Sequence, residues 1–250
     1  MNPAPVARVQ LLDGFGLEIG HCGGRMPGGL PRGVQRLVAF LGVSRQPPRT
    51  AIAGLLWPDV PEVRAQGSLR SALWRLHKIA PGLIGACRET LSLANGVQVD
   101  VRELTCWAQR VSDPAANVED LAATQLRLRG ELLPGWYDDW VLLERERLRQ
   151  LRMHALEAMA DRLMAAGRCG DAVQAAYVAM QAEPLRESAH RTLIRVHLAE
   201  GNLIEAVHAY ESFRALLADE LGVAPSQLMR DLVNGLPVSG LPPVRLTPCL

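Results

Sequence analysis

The sequence predicts a mainly α-helical fold with small β elements, in two domains, on three observations. Between residues 32 and 80 apolar residues recur at helical spacing in three successive runs, and short alternating stretches flank those runs on both sides. Between residues 155 and 225 the chain matches itself at a shift of 34 residues. Formal charge also divides unevenly. Residues 1–100 hold 11 Lys+Arg against 6 Asp+Glu, and residues 101–250 hold 16 against 20, so a net +5 precedes a net −4. Three helices and a hairpin, then helical repeats, predict an N-terminal winged helix-turn-helix followed by an all-α tetratricopeptide-like repeat domain.

Length and composition bound the alternatives. At 250 residues the chain has room for two ordinary cores. No stretch approaches the roughly 20 apolar residues of a membrane span, and no basic region leads into an apolar one at the start, so a cytoplasmic protein without a membrane segment is expected. The five cysteines, Cys22, Cys87, Cys106, Cys169 and Cys249, are dispersed and form no Cys-x-x-Cys pair. They read as reduced thiols that behave as small hydrophobes. Lys78 is the one lysine among the basic residues; the arginine bias is compositional.

Residues 9–31 read as short strands joined by turns, with Val9-Gln10-Leu11-Leu12-Asp13 and Gly16-Leu17-Glu18-Ile19 as their cores. Arg32 to Val43 forms a first helix with Val34, Leu37, Val38 and Leu41 on one face. Thr50 is the expected N-cap of a short second helix that stops before Pro58. A third and longer helix, Glu62 to Ile79, follows Pro61. Leu91-Ser92-Leu93 and Val97-Gln98-Val99 flank Ala94-Asn95-Gly96, which reads as a tight hairpin.

From Val101 onward the pattern is almost entirely helical. The segment Gly130-Glu131-Leu132-Leu133-Pro134-Gly135-Trp136-Tyr137-Asp138-Asp139-Trp140 interrupts it with a Gly/Pro turn and three rings, which read as a plug at a domain seam. In the repeat, Gly167 falls on Gly201, Asp171 on Glu205, Ala172 on Ala206, Val173 on Val207 and Ala175 on Ala209. Leu142–Arg162 begins the stack and Gln227–Val233 caps it. The domains expected are therefore 1–100, 101–234 and a Pro-rich flexible tail at 235–250.

The third helix carries the chemistry. Ala65, Leu69, Ala72, Leu73, Leu76 and Ala80 share its inner side, whereas Arg64, Gly67, Ser68, Ser71, Trp74, Arg75 and Lys78 share the other. No acidic residue occurs from Val63 to Ala86. An exposed helix usually mixes charge signs. A third helix followed by a hairpin is where a recognition helix and its wing belong, so this cationic face is read as the one that enters a major groove. Arginine reaches guanine edges or phosphate, serine donates to phosphate or bases, and an aromatic ring touches a thymine methyl. The candidate DNA-binding residues are Arg64, Ser68, Ser71, Trp74, Arg75, Lys78 and, just before the second wing strand, Arg88. Gly67 costs the helix about 1 kcal/mol relative to alanine, and it reads either as permitting close backbone approach to DNA or as neutral.

No catalytic or cofactor motif appears: there is no Gly-x-x-x-x-Gly-Lys-Ser/Thr, no His-Glu-x-x-His and no Gly-x-Ser-x-Gly. His190, His197 and His208 fall within repeat helices, where packing is their expected role, and the Asp138-Asp139 pair lacks further metal ligands. Neither an enzyme, a cofactor nor a metal site is expected.

Leu55-Leu56-Trp57-Pro58-Asp59 and Ser68-Leu69-Arg70-Ser71-Ala72-Leu73-Trp74-Arg75-Leu76 resemble the OmpR-type winged helix of the Streptomyces antibiotic regulatory protein family. The segment Leu133 to Trp140, with Glu183-Pro184-Leu185-Arg186-Glu187, Ala199-Glu200-Gly201-Asn202 and Asp219-Glu220-Leu221-Gly222-Val223, resembles that family's bacterial transcriptional activator domain. The resemblance runs from about residue 8 to residue 230. It implies a cytoplasmic activator that binds direct repeats of double-stranded DNA near promoters as a side-by-side homodimer and recruits RNA polymerase holoenzyme, often at secondary-metabolite genes. The competing expectation is a helical-repeat interaction scaffold whose winged helix does not bind DNA.

Overall fold

The computed structural model describes residues 7–20, 29–125 and 128–234; the expected tail at 235–250 lies outside the described residues. The fold is mainly helical with small strands. It divides into two compact units, one made of Met1–Ala108 with Ala123–Leu151, the other of Gln109–Ala122 with Arg152–Leu250.

In the first unit, β1 (Ala7–Gln10) pairs antiparallel with β2 (Gly16–Ile19), Ala7 opposite Ile19 and Gln10 opposite Gly16. Ala7 and Val9 are buried while Arg8 and Gln10 are exposed, the alternation of a sheet with one wet face. Three helices follow: α1 (Arg32–Val43), α2 (Arg49–Leu56) and α3 (Glu62–Ile79). A proline precedes each, Pro31, Pro48 and Pro61, and its carbonyl accepts the first helical amides. Thr50, expected as an N-cap, instead lies inside the first turn of α2, because Pro48 already holds the extended backbone (ψ 147°) that starts the helix. Leu37 and Leu41, Ile52 and Leu56, and Leu69 and Leu76 fill the space between the three helices.

The wing is β3 (Ile84–Cys87) paired antiparallel with β4 (Thr90–Leu93), joined by the two-residue turn Arg88-Glu89. The expected hairpin across Ala94-Asn95-Gly96 does not form. Gly96 does make a turn at φ 90°, but β5 (Gln98–Val99) leaves the wing and pairs parallel with β1, Val99 beside Val9. The turn residues signal that the chain reverses, and the burial of Leu91 and Leu93 against β3 decides which strand each partner receives.

Past β5 come α4 (Asp100–Val111), α5 (Val118–Gln125) and α6 (Asp139–Ala165). The turn before α6 closes the first unit. The Leu133 N–H donates to the Leu11 carbonyl at 2.8 Å, and the Asp13 N–H to the Glu131 carbonyl at 2.8 Å. Trp136 stacks on Phe15 at 6.2 Å with the Arg32 guanidinium 3.7 Å from its ring centre, and Trp140 meets Phe40 edge-on at 5.3 Å. Of the three rings read as a plug, Tyr137 is 79 % exposed and takes no part. Asp138 pairs with Arg36.

The second unit contains α7 (Cys169–Ala182), α8 (Glu187–Ala199), α9 (Leu203–Leu221) and α10 (Gln227–Val233), with the later turns of α6. The two repeat glycines end helices identically. The Gly167 N–H bonds the Met164 carbonyl and the Arg168 N–H the Leu163 carbonyl; Gly201 and Asn202 do the same with Leu198 and His197. These bonds make a Schellman motif, which needs a left-handed residue, and the glycines stand at φ 72° and 79°. Ala172, Ala175 and Ala206 are buried, and their small side chains let the paired helices approach closely. Arg162 donates to the carbonyls of Val111 at 3.0 Å and Asp113 at 2.8 Å, fixing the loop after α4. Phe213, Ile194 and Met229 form a core beneath α10.

His190 is 5 % exposed, stacks on Phe213 at 4.0 Å and donates from Nε2 to the Pro184 carbonyl at 2.7 Å. Burial pushes its pKa below the ordinary imidazole value, so the fold favours the neutral ring.

Two predictions follow from these contacts. A Cβ at Gly167 or Gly201 would meet nothing within 4 Å, so alanine should cost only the left-handed backbone, about 1–2 kcal/mol each in urea unfolding. Because the unfolded imidazole binds protons at about pH 6.5 and the native one does so lower, the His190 contribution is complete above about pH 6.5 and is lost as pH falls through the native value. His190→Gln should therefore flatten the fall in melting temperature between about pH 7.5 and about pH 5.5.

Candidate nucleic-acid interface

The outer side of α3 presents Arg64, Ser68, Ser71, Arg75 and Lys78 at steps of four, three, four and three residues, which holds them on one line along the helix. At 1.5 Å per residue that line runs about 21 Å. Arg64, Ser71, Arg75 and Lys78 are exposed, and Ser68 is half-buried. Trp74 is 59 % exposed and carries the Lys78 ammonium 3.8 Å from its ring centre, so these two side chains stand as a pair. The inner residues predicted from the sequence, Ala65, Leu69, Ala72, Leu76 and Ala80, are all buried, and Leu73 is half-buried. A helix anchored along one side by five buried residues presents the other in a fixed orientation.

Among the described residues, none of Arg64, Arg75, Lys78 and Arg88 is held in an ion pair. Beside the stripe runs an open groove of about 590 Å³ that Arg64, Ser68, Ser71 and Arg75 share with Trp57 and Gly33, and no acidic residue lines it. Arg70, exposed on the same helix, and Trp57, half-buried at the end of α2, extend the surface beyond the residues picked from sequence. The arginine was legible from its helical angle. Trp57 was not, since only the packing of α2 beside the start of α1 brings it to the groove.

Arg88 sits at the tip of the wing in left-handed backbone at φ 53°, exposed, as position one of a two-residue hairpin turn requires. The wing is fastened to the loop before α2. The Arg49 N–H donates to the Glu89 carbonyl at 2.9 Å and the Leu91 N–H to the Pro47 carbonyl at 3.1 Å. These bonds set where Arg88 stands relative to α3.

Among the described residues, no group of three or more His, Cys, Asp or Glu side chains is arranged to hold a metal, and no helix is long and apolar enough to cross a membrane.

Comparison with known proteins agrees with this architecture. A family model described as the bacterial transcriptional activator domain matches residues 102–236. The regulatory protein AfsR of Streptomyces coelicolor is 30 % identical over 202 residues, covering 74 % of this chain and 20 % of AfsR. The transcriptional regulatory protein EmbR of Mycobacterium tuberculosis is 26 % identical over 225 residues, covering 83 % of this chain and 58 % of EmbR. The chain thus spans about a fifth of the length of AfsR and somewhat over half of EmbR. The solved structure of Mycobacterium tuberculosis EmbR in complex with a low affinity phosphopeptide superposes with a TM-score of 0.73 at 24 % identity, covering 92 % of this chain and 64 % of that one. At that identity the likeness concerns the fold. With the family model matched over more than half of its length, the chain belongs to the bacterial transcriptional activator domain proteins, within the Streptomyces antibiotic regulatory protein family.

Proposed function

We propose that this chain is a sequence-specific DNA-binding transcriptional activator that places α3 in a major groove and the wing tip against the adjoining backbone. The observation that carries the reading is the stripe Arg64, Ser68, Ser71, Arg75 and Lys78: exposed at all but the half-buried Ser68, beside a groove that no acidic residue lines, and with none of its three cations in an ion pair among the described residues. Phosphate neutralisation supplies most of the affinity in such an interface, and side chains reaching base edges supply the selectivity. Ser68 and Ser71 suit phosphate or base acceptors, and Trp74, propped by Lys78, suits a thymine methyl. Relatives that match this chain over 74 % and 83 % of its length are named as regulatory proteins, which supports a role in transcription.

In this reading the chain works in the cytoplasm and binds direct repeats near promoters as a homodimer. It recruits RNA polymerase, at secondary-metabolite genes among others, with the helical repeats as the protein-facing surface. It carries no catalytic activity and needs no cofactor. An interaction scaffold with a silent winged helix would leave the cationic stripe without a use.

The test is a duplex enriched from a randomised pool by the full chain, titrated by fluorescence anisotropy at two salt concentrations. Affinity should depend on sequence and fall steeply with salt. Arg75→Ala should weaken the selected duplex by about 1–3 kcal/mol and relax preference at one position, whereas Lys78→Ala should weaken all duplexes alike and lower the salt slope by about one. Unchanged binding by the combined Arg64→Ala, Arg75→Ala and Lys78→Ala protein would remove α3 from the interface. Gly67→Ala separates stability from binding. A Cβ there meets only the Arg70 Nη2 at 3.8 Å. The variant should therefore unfold about 0.5–1 kcal/mol less readily and yet bind DNA more weakly where the bare backbone lies against the duplex.

A further inference from the structure

On the flank of α3 that meets the wing lies a pocket of about 190 Å³. Leu73 and Leu76 of α3 and Ala86 and Leu91 of the wing give it apolar walls, and Arg49 and His77 are its two charged or titratable residues. No acidic side chain lines it. The small residues Ala80, Gly82 and Ala86 line it and leave the space open. It holds several waters' worth of volume at about 30 Å³ each, enough for a single ring or a short acyl chain and too little for a drug-sized molecule.

Arg49 is the unusual member. Its backbone is bonded to the wing through the Glu89 carbonyl, so the residue is fixed in place. Its side chain is half-buried, and among the described residues it makes no ion pair and no hydrogen bond. A guanidinium lining an apolar-walled cavity is matched by a carboxylate, which accepts two parallel N–H bonds from it. We propose that this pocket binds a small apolar monocarboxylate, an aromatic or short-chain acid, with the carboxylate on Arg49 and the hydrocarbon between Leu73, Leu76 and Leu91.

Such a ligand wedges between α3 and the wing, the two elements that carry the candidate DNA-binding residues. Any difference in its affinity for the free and DNA-bound arrangements changes DNA affinity by the same factor. This consequence rests on the DNA-binding reading; occupation of the pocket does not.

The test uses the full chain and calorimetric titration with benzoate, with benzyl alcohol as the uncharged match. Benzoate should bind saturably in the millimolar range or tighter, and benzyl alcohol about tenfold more weakly. Arg49→Met should lose about tenfold in benzoate affinity, and Arg49→Lys should restore part of it. Ala86→Leu, on an exposed wing position, should fill the pocket and abolish binding without lowering the melting temperature; should it fail to fold, the Arg49→Met and Arg49→Lys comparison decides. No saturable benzoate binding to the wild-type chain overturns the proposal, as does equal binding by folded Arg49→Met protein. Loss of duplex binding in Arg49→Met without any benzoate binding assigns Arg49 to the DNA surface and overturns it as well. Sequence-selective DNA binding by a chain that ignores benzoate leaves the activator reading intact, so the two failures are distinguishable.

Discussion

The first turn of α4 holds the N-terminal unit together. The Asp100 carboxylate is 5 % exposed and accepts the backbone N–H groups of Leu11, Leu12 and Val101 at 2.7–3.0 Å. Two residues on, Arg102 donates from Nε to the Gly42 carbonyl at 2.8 Å and from Nη2 to the Leu41 carbonyl at 2.6 Å, filling acceptors that the end of α1 leaves open. Burial pushes the Asp100 carboxyl above the ordinary carboxylate range while the amides pull the other way. A buried carboxylate is tolerable only when its lone pairs are filled, and removing it would strand three amides in the core. One helical turn thus ties the end of β1 and the end of α1 to the start of α4.

That tie explains why the first unit does not stop near residue 100. Once Asp100 holds Leu11 and Leu12, the next stretch of the same edge is free to pair with residues 131–133, and the following turn delivers Trp136 to Phe15 and Arg32 and Trp140 to Phe40. The Leu133–Trp140 signature that resembles the activator domain is therefore also part of the core that carries α3. A helix with one solvent-facing side on a small three-helix unit needs such backing, because few apolar residues are available to hold it.

Arginine does two jobs in this chain that composition cannot separate. Arg102, Arg145 and Arg162 spend their donors on carbonyls of helix ends and loops. Arg64, Arg75 and Arg88 have no ion-pair partner among the described residues and stand in solvent. Planar, five-donor guanidinium serves both purposes, and a lysine could replace few of the first group. The charge excess of the first hundred residues consequently understates how local the positive field is: it is concentrated where acidic residues are missing, along α3.

Some of this was written in the sequence. Apolar spacing and a preceding proline determined α1 and α3 to the residue, because both signals act within one or two turns. The 34-residue repeat placed Gly167 and Gly201 at equivalent helix ends, since only glycine enters the left-handed cap without penalty. The outward side of α3 was likewise legible, as a helix of known pitch fixes the angle of every side chain. Tertiary structure decided what depends on partners distant in sequence: that β5 joins β1 and not β4, that residues 131–140 complete the first core, and that Trp57 and Arg49 line cavities. No local pattern encodes those pairings, because hydrogen-bond acceptors and apolar surfaces are interchangeable until packing assigns each its neighbour.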